Sequence, residues 1–271
     1  MIANLCGHQA DPQQAAEVAG RVLVEYGLDC IGAALPWVAM DLALFIQEGP
    51  MNGADARLVA NGDKGIATVR ASIPNESRRK FAGCHELGHW VLHREMQSQW
   101  LCTEADLAGY SKSPREVEAN AFAAELQIPQ ALLRKSYAGP VTMDLAEQVR
   151  RDLGTSLTAA LRRLVEALED DCIMLMVENS QVRYYVQSRG WRGPTIKAKH
   201  RPECCSVVNQ VRFCKDRPQG ATPSFARGTV TTDVWSHEGD SVNQLIEQAE
   251  VLYEDHSCPT LVLLRPVPPR R

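Results

Sequence analysis

His85, Glu86 and His89 are spaced as His-Glu-x-x-His. On a helix, residues four apart stand one turn above each other on one face, so this spacing brings two imidazoles together with a carboxylate beside them. Imidazole nitrogens ligate divalent ions such as zinc, and a carboxylate next to such an ion serves as a base toward water. The chemistry is metal-assisted hydrolysis, with Glu86 as the base and His85 and His89 as ligands. Hydrolytic zinc takes three protein ligands and keeps a fourth position open, so one ligand is missing from this stretch. His93 continues the stripe but lies about 12 Å along a straight helix from His85, too far to share one ion. Its expected place is behind His89, orienting or packing. A third His from the extended motif is ruled out, because Leu92 and Glu95 stand where Gly and His are required.

A helix must position these groups, and the neighbouring residues supply one. Phe81, Cys84, Leu87, Gly88, Val91 and Leu92 recur at three- and four-residue spacing, and no Pro falls between Pro74 and Pro114. Gly88 inside a helix costs roughly 1 kcal/mol against Ala and suits a site where another helix or a ligand comes close. A second helix is predicted over residues 113–129, with Ser113 as cap, Pro114 in its first turn and Pro129 at its end. Glu116, Ala119, Asn120, Ala123 and Leu126 share one face of it, mostly small side chains that permit close approach. Glu116 is the candidate third ligand, with Asn120 one turn later placed to orient His85 or His89. Two alternatives stand beside this reading. Ser113 and Glu116 also fit a capping box, and Glu118, on a face read as less buried, is the other candidate ligand.

These two blocks, Arg79 to His93 and Glu116 to Pro129, resemble the ImmA/IrrE family of metallopeptidases, which pairs a His-Glu-Leu-Gly-His-x-x-Leu-His helix with a Glu-x-x-Ala-Asn-x-Phe-Ala-Ala-Glu-Leu helix. The resemblance is strong over residues 66–129 and fainter over 12–65 and 141–190. It implies a gluzincin-type zinc endopeptidase, with His85, His89 and Glu116 as ligands and Glu86 as general base. It also implies a protein substrate, a transcriptional repressor cleaved in a stress or mobile-element response. The alternative from another class is a non-catalytic protein that docks to a repressor or to DNA through a peptidase-like fold.

The remaining chain is expected to frame this site. A helix is predicted over residues 12–27 and a second over Trp37 to Ala43, followed by an extended stretch at Leu44 to Ile46. Leu58 to Ala60 and Ile66 to Val69 flank Asn-Gly-Asp-Lys-Gly, a hairpin signal, so a small antiparallel sheet precedes the motif helix. One of its strands is expected beside the site, where an extended substrate could add to it; packing alone is the competing expectation. Residues 96–112 read as a long connection, a candidate lid, in which Tyr110 is a candidate donor to a developing oxyanion.

Residues 141–168 read as helix, turn at Gly154, helix: a helix-turn-helix-like segment. Between 141 and 170 six acids outnumber four Arg, the wrong sign for a phosphate-binding surface, so DNA binding is not expected. From Cys172 the chain turns to short strands at Ile173 to Val177, Val182 to Val186, Gly228 to Trp235 and Leu261 to Leu264, with a helix expected from Val242 to Tyr253. The fold class is α+β, with a zincin-like domain over 1–136, a helical segment over 137–170 and a C-terminal α+β lobe over 171–271.

The chain has 271 residues, a net charge of −4 and nine Cys. That charge gives no field to draw nucleic acid or acidic lipid, and an odd, scattered set of Cys fits reduced thiols in a cytoplasmic protein. His200, Cys204, Cys205 and Cys214 cluster in sequence but match no regular zinc spacing. No secretory signal and no span of ~20 apolar residues is read, so a soluble, cytoplasmic protein is expected.

Overall fold

Asn75 starts the helix that carries the motif: its side chain accepts the Arg78 backbone N–H at 3.3 Å, and Glu76 follows in the first turn, where an acid suits the helix dipole. A computed structural model describes residues 10–107, 113–203, 206–208, 225–236, 244–252 and 259–268. Its contacts divide the chain into two units, Met1–Leu132 with Arg150–Ser156, and Leu133–Val149 with Leu157–Arg271.

The first unit opens with helix α1 (Pro12–Glu25), capped by Asp11, then a 3₁₀ turn and helix α2 (Leu35–Asp41). Strands β1 (Leu44–Gly49), β2 (Ala56–Asn61) and β3 (Lys64–Arg70) lead into α3 (Glu76–His93). Strand β4 (Gln99–Cys102), helix α4 (Glu104–Leu107) and helix α5 (Pro114–Gln127) complete the frame. The sheet order is β1-β3-β2-β4. The expected hairpin is β2–β3, in antiparallel register from Ala56↔Val69 to Asn61↔Lys64, and Gly62 supplies the positive φ of its turn.

The sheet is mixed and not purely antiparallel as expected, because β1 pairs parallel to β3, from Leu44↔Gly65 to Gly49↔Arg70. The chain leaves β1, passes beyond β3 to form β2, and returns through the hairpin, so that β3 inserts between them in the direction of β1. Residues 96–112 are not one long connection: β4 pairs antiparallel to β2, from Ala56↔Cys102 to Val59↔Gln99, and α4 follows it. In β4, Gln99 and Leu101 face out while Trp100 and Cys102 are buried, an alternation only four residues long.

The core of this unit lies between the sheet and α3, with α5 against α3 and α1 against α5. Leu44, Leu58, Ala67, Leu87, Trp90 and Phe122 are fully buried in it. The Trp90 indole donates to the Leu42 carbonyl at 2.7 Å, so even this large side chain leaves no polar atom unpaired.

In the second unit, helix α6 (Gln130–Ser136) crosses the boundary, as does α7 (Met143–Leu153); Gly154, at φ +64°, turns the chain into α8 (Leu157–Ala167). Strands β5 (Ile173–Glu178), β6 (Gln181–Gln187), β7 (Phe225–Thr231), β8 (Gln244–Val251) and β9 (Thr260–Pro266) form an antiparallel sheet in the order β6-β5-β9-β8-β7. The stretch expected to be a helix from Val242 is therefore strand β8, paired with β7 and β9. Its Gln, Glu and Ala favour a helix locally, but Leu245, Ala249 and Val251 belong to the apolar core beneath the sheet and the pairing wins. No helix among the described residues is long and apolar enough to cross a membrane.

Candidate metal centre

Helix α3 is clamped at its N-terminal end by Asp55, a buried carboxylate that meets Arg70 at 2.5 Å and Arg78 at 2.6 Å. Arg78 reaches on to Glu104 in α4 at 3.1 Å, so the sheet, α3 and the segment after β4 share one ionic cluster. Further along α3, Gly88 lets α5 approach: a Cβ built there meets Ala119 Cα, Ala119 O and Phe122 Cδ1, each at 3.2 Å. The close approach expected from a mid-helix glycine is thus an approach of α5, and it brings Glu116 to the motif.

His85 Nε2 stands 3.1 Å from Glu116 Oε2 and 3.0 Å from His89 Nε2, and His89 Nε2 stands 3.3 Å from Glu116 Oε1. No cap hydrogen bond comes from the Ser113 side chain; Glu116 turns to the imidazoles instead. On its far side His85 Nδ1 meets Asn120 Oδ1 at 3.0 Å, and the Asn120 amide donates to the Asp106 carbonyl at 2.7 Å. His89 Nδ1 meets His93 Nδ1 at 3.1 Å, and His93 Nε2 meets Glu118 Oε2 at 2.9 Å. Glu118 also accepts the Asp11 backbone N–H at 2.9 Å, which ties the start of α1 to this chain of bonds.

These partners fix where the protons sit. Asn120 directs its amide to a carbonyl and so offers oxygen to His85, which must donate from Nδ1. Glu118 can only accept, so His93 donates from Nε2 and accepts at Nδ1, and His89 donates to it from Nδ1. Both His85 and His89 are left with bare Nε2 lone pairs, facing each other and a carboxylate. Such a cluster of acceptors needs a proton or a cation among them. Burial pulls His89 down to about 4 despite the bond its protonated form would make to Glu116, which disfavours the proton at neutral pH. A divalent cation answers the whole set, and outward Nδ1 bonds of this kind are how proteins orient metal-binding imidazoles.

Glu86 lies beside this cluster, fully buried, and neither carboxylate oxygen has a conventional hydrogen-bond partner. The weak thiol donor of Cys102 is its neighbour. Burial above all raises Glu86 to about 7, with His85 and Cys102 working against the rise. A carboxylate poised near neutrality is suited to take and return a proton. The Cys102 thiol is pushed far up by burial and by the charges of Glu86 and Glu116, so without a cation it stays protonated.

The structure thus gathers His85, Glu86, His89, Glu116, Asn120 and His93 in one place. Glu118 is not on a less buried face: it is more buried than Glu116, and it serves His93 rather than the cluster. Spacing within α5 does not show α1, which packs on α5 and bonds Glu118 through the Asp11 N–H. Tyr110 and Cys204, Cys205 and Cys214 lie outside the described residues; His200 donates from Nε2 to the Val234 carbonyl at 3.2 Å. One candidate was missed in the sequence. Cys102 Sγ joins His85, His89 and Glu116 in a group whose ligand atoms all lie within 4.8 Å of one another. Its spacing from the motif carries no signal, and only the short alternation of β4 would have turned it inward.

Fold and site together define a domain in which two helices bring together side chains that could hold a metal ion. Residues 70–165 match the family model described as the IrrE N-terminal-like domain, Peptidase_M78, a match that supports assignment of the chain to the ImmA/IrrE family. A solved structure described as a Mycobacterium tuberculosis transcriptional regulator is similar in fold at a TM-score of 0.59, with 12% identity, over 94% of this chain and 88% of that one. No curated protein is significantly similar to the chain.

Proposed function

We propose that the protein is a zinc-dependent endopeptidase that hydrolyses a peptide bond in a protein substrate. The observation that carries this reading is the convergence of bare lone pairs from His85, His89 and Glu116 beside the buried carboxylate of Glu86, which has no conventional hydrogen-bond partner. The donor set of two imidazoles and one carboxylate suits zinc, which when bound lowers the pKa of a water and polarises a carbonyl. Glu86 takes the proton from the attacking water and delivers it to the leaving amine. Asn120 and His93 hold the imidazoles in the tautomers that keep Nε2 free. The buried Trp100 ring lies against His89, with ring centres 5.8 Å apart, and shields that side of the site from solvent.

Strand β4 offers a place for an extended substrate. It is the last strand of its sheet, paired on one side to β2, and it carries Trp100 against His89 at a ring separation of 5.8 Å. Strand addition along its outer edge would run a substrate backbone past the site. The family resemblance is what suggests a transcriptional repressor as substrate.

The test is elemental analysis of zinc per chain on wild type and His89→Ala, followed by incubation of wild type and Glu86→Gln with candidate repressors. One zinc in wild type, lost in His89→Ala, and fragments from wild type alone are expected. A Glu86→Gln protein that cleaves at the wild-type rate, or a folded wild type that retains no zinc, overturns the reading.

A further inference from the structure

We propose that Cys102 is a fourth protein ligand of the metal held by His85, His89 and Glu116, closing the resting centre with sulfur. The inference rests on the metal-centre reading above and adds to it a state in which the site is shut. Tetrahedral zinc with bonds of about 2.0–2.3 Å sets neighbouring donors about 3.3–3.7 Å apart. His85, His89 and Glu116 already stand 3.0–3.3 Å apart, and the sulfur completes a set whose atoms all lie within 4.8 Å, so a shift of about 1 Å by one short side chain reaches the geometry.

The Cys102 thiol lies beside the Glu86 carboxylate. It is wholly buried. Its carbonyl accepts the Asp55 N–H at 2.9 Å, and two residues earlier Trp100 rests on His89. Strand β4 is thus pinned at Cys102 and at Trp100, at the end that faces the cluster. An independent observation points to the same spot: the Glu86 carboxylate, buried and without a conventional partner, is the thiol's neighbour.

Binding of Cys102 would break its S–H bond and form a sulfur–metal bond, the proton being released as the metal binds. The sulfur would then occupy the position that an attacking water needs. With the Cys102 thiolate and the Glu116 carboxylate a divalent ion is balanced in charge.

X-ray absorption at the zinc edge on the zinc-loaded full chain reads this directly. Wild type should show one sulfur scatterer at about 2.3 Å together with nitrogen and oxygen. Cys102→Ser and Cys102→Ala should show nitrogen and oxygen only, bind zinc about tenfold or more weakly, and cleave substrate faster than wild type once loaded. With cobalt in place of zinc, the near-ultraviolet sulfur-to-cobalt band of wild type should vanish in both variants and in His89→Ala. One zinc per wild-type chain with only nitrogen and oxygen around it overturns the inference and leaves the metal centre standing, as does a sulfur signal that persists in Cys102→Ser. No zinc in wild type removes both. The wild-type spectrum alone decides if neither variant folds.

Discussion

Nδ1 of His93 faces Nδ1 of His89 across 3.1 Å, so only one of the two can carry the proton between them. Glu118, 2.9 Å from the other nitrogen of His93, decides which. The polarity set at Glu118 passes through His93 to His89 and frees its Nε2 at the centre, two residues removed from the carboxylate that sets it. His93→Leu leaves the His89 Nδ1–H without an acceptor, and Glu118→Gln lets the chain run in either direction. Both should weaken zinc binding by about 10–100-fold with the fold retained, as loss of such supporting bonds does elsewhere. Competition against a chromophoric chelator measures it; unchanged affinity in both variants would remove the orienting role.

Glu86 is expected to cost the metal-free protein stability. Its carboxyl is raised to about 7 in the fold against 4.5 for the ordinary side chain, with burial as the main cause. The folded chain therefore holds this proton more tightly than the unfolded one. Its favourable contribution is complete below pH 4.5 and is lost as pH rises through about 7. Glu86→Gln carries no charge to desolvate, so melting curves of the metal-free pair should nearly coincide at low pH and separate by about 1–3 kcal/mol in favour of the variant above pH 8. In turnover the same group sets an acid limb at or below about 7, since a cation nearby draws the carboxyl down. A constant gap between the two melting curves from pH 4 to 9 would contradict the burial argument.

Gly88 tests the helix contact that delivers Glu116. Alanine would gain up to about 1 kcal/mol of helix propensity on α3. Its methyl, however, meets the Ala119 backbone and the Phe122 ring at 3.2 Å, and backbone in the middle of a helix packed on its other side by α1 yields poorly. Gly88→Ala should lower stability by about 1–3 kcal/mol and push α5 outward, so zinc affinity falls with it. Thermal melts with and without zinc give both quantities. A variant more stable than wild type would show that α5 can give way, and that the contact does not fix Glu116.

The motif helix, its partner helix, the hairpin and the helix pair around Gly154 were all legible, because each is fixed by spacing, capping and turn chemistry within its own stretch. What depended on a distant partner was not. Spacing alone places Glu118 on the less buried face, because α1, which covers it, lies about a hundred residues earlier, Asp11 bonding to it directly. Strand β4 hid inside an apparent connection, since four residues alternate too briefly to register until β2 pairs with them. Cys102 was invisible for the same reason. The Gln, Glu and Ala of strand β8 favour a helix locally, and only the strands on either side turn it into a strand.

Glu247 in β8 shows what that strand conceals, and supplies the last test. It is fully buried in the apolar core of the second unit, yet satisfied: one oxygen accepts the Ser206 hydroxyl at 2.7 Å and the Val208 N–H at 3.0 Å, and the other accepts the Trp235 indole at 3.2 Å. Three donors converge on two oxygens, an arrangement that an amide cannot reproduce. In Glu247→Gln the new NH₂ must face either the indole or the Ser206 and Val208 donors, setting donor against donor in a dry core. Burial raises the carboxyl of Glu247 and these hydrogen bonds oppose the rise. Removing the charge relieves the desolvation cost, whereas leaving a buried donor unpaired adds about 1–3 kcal/mol. The mismatch should win, since the wild-type oxygens have every partner they need, and Glu247→Gln should unfold at lower denaturant with an unchanged slope. Because Glu247 belongs to the other unit, zinc content per chain should be unaffected in the folded variant. A Glu247→Gln protein as stable as wild type would mean that the three donors do not depend on the carboxylate.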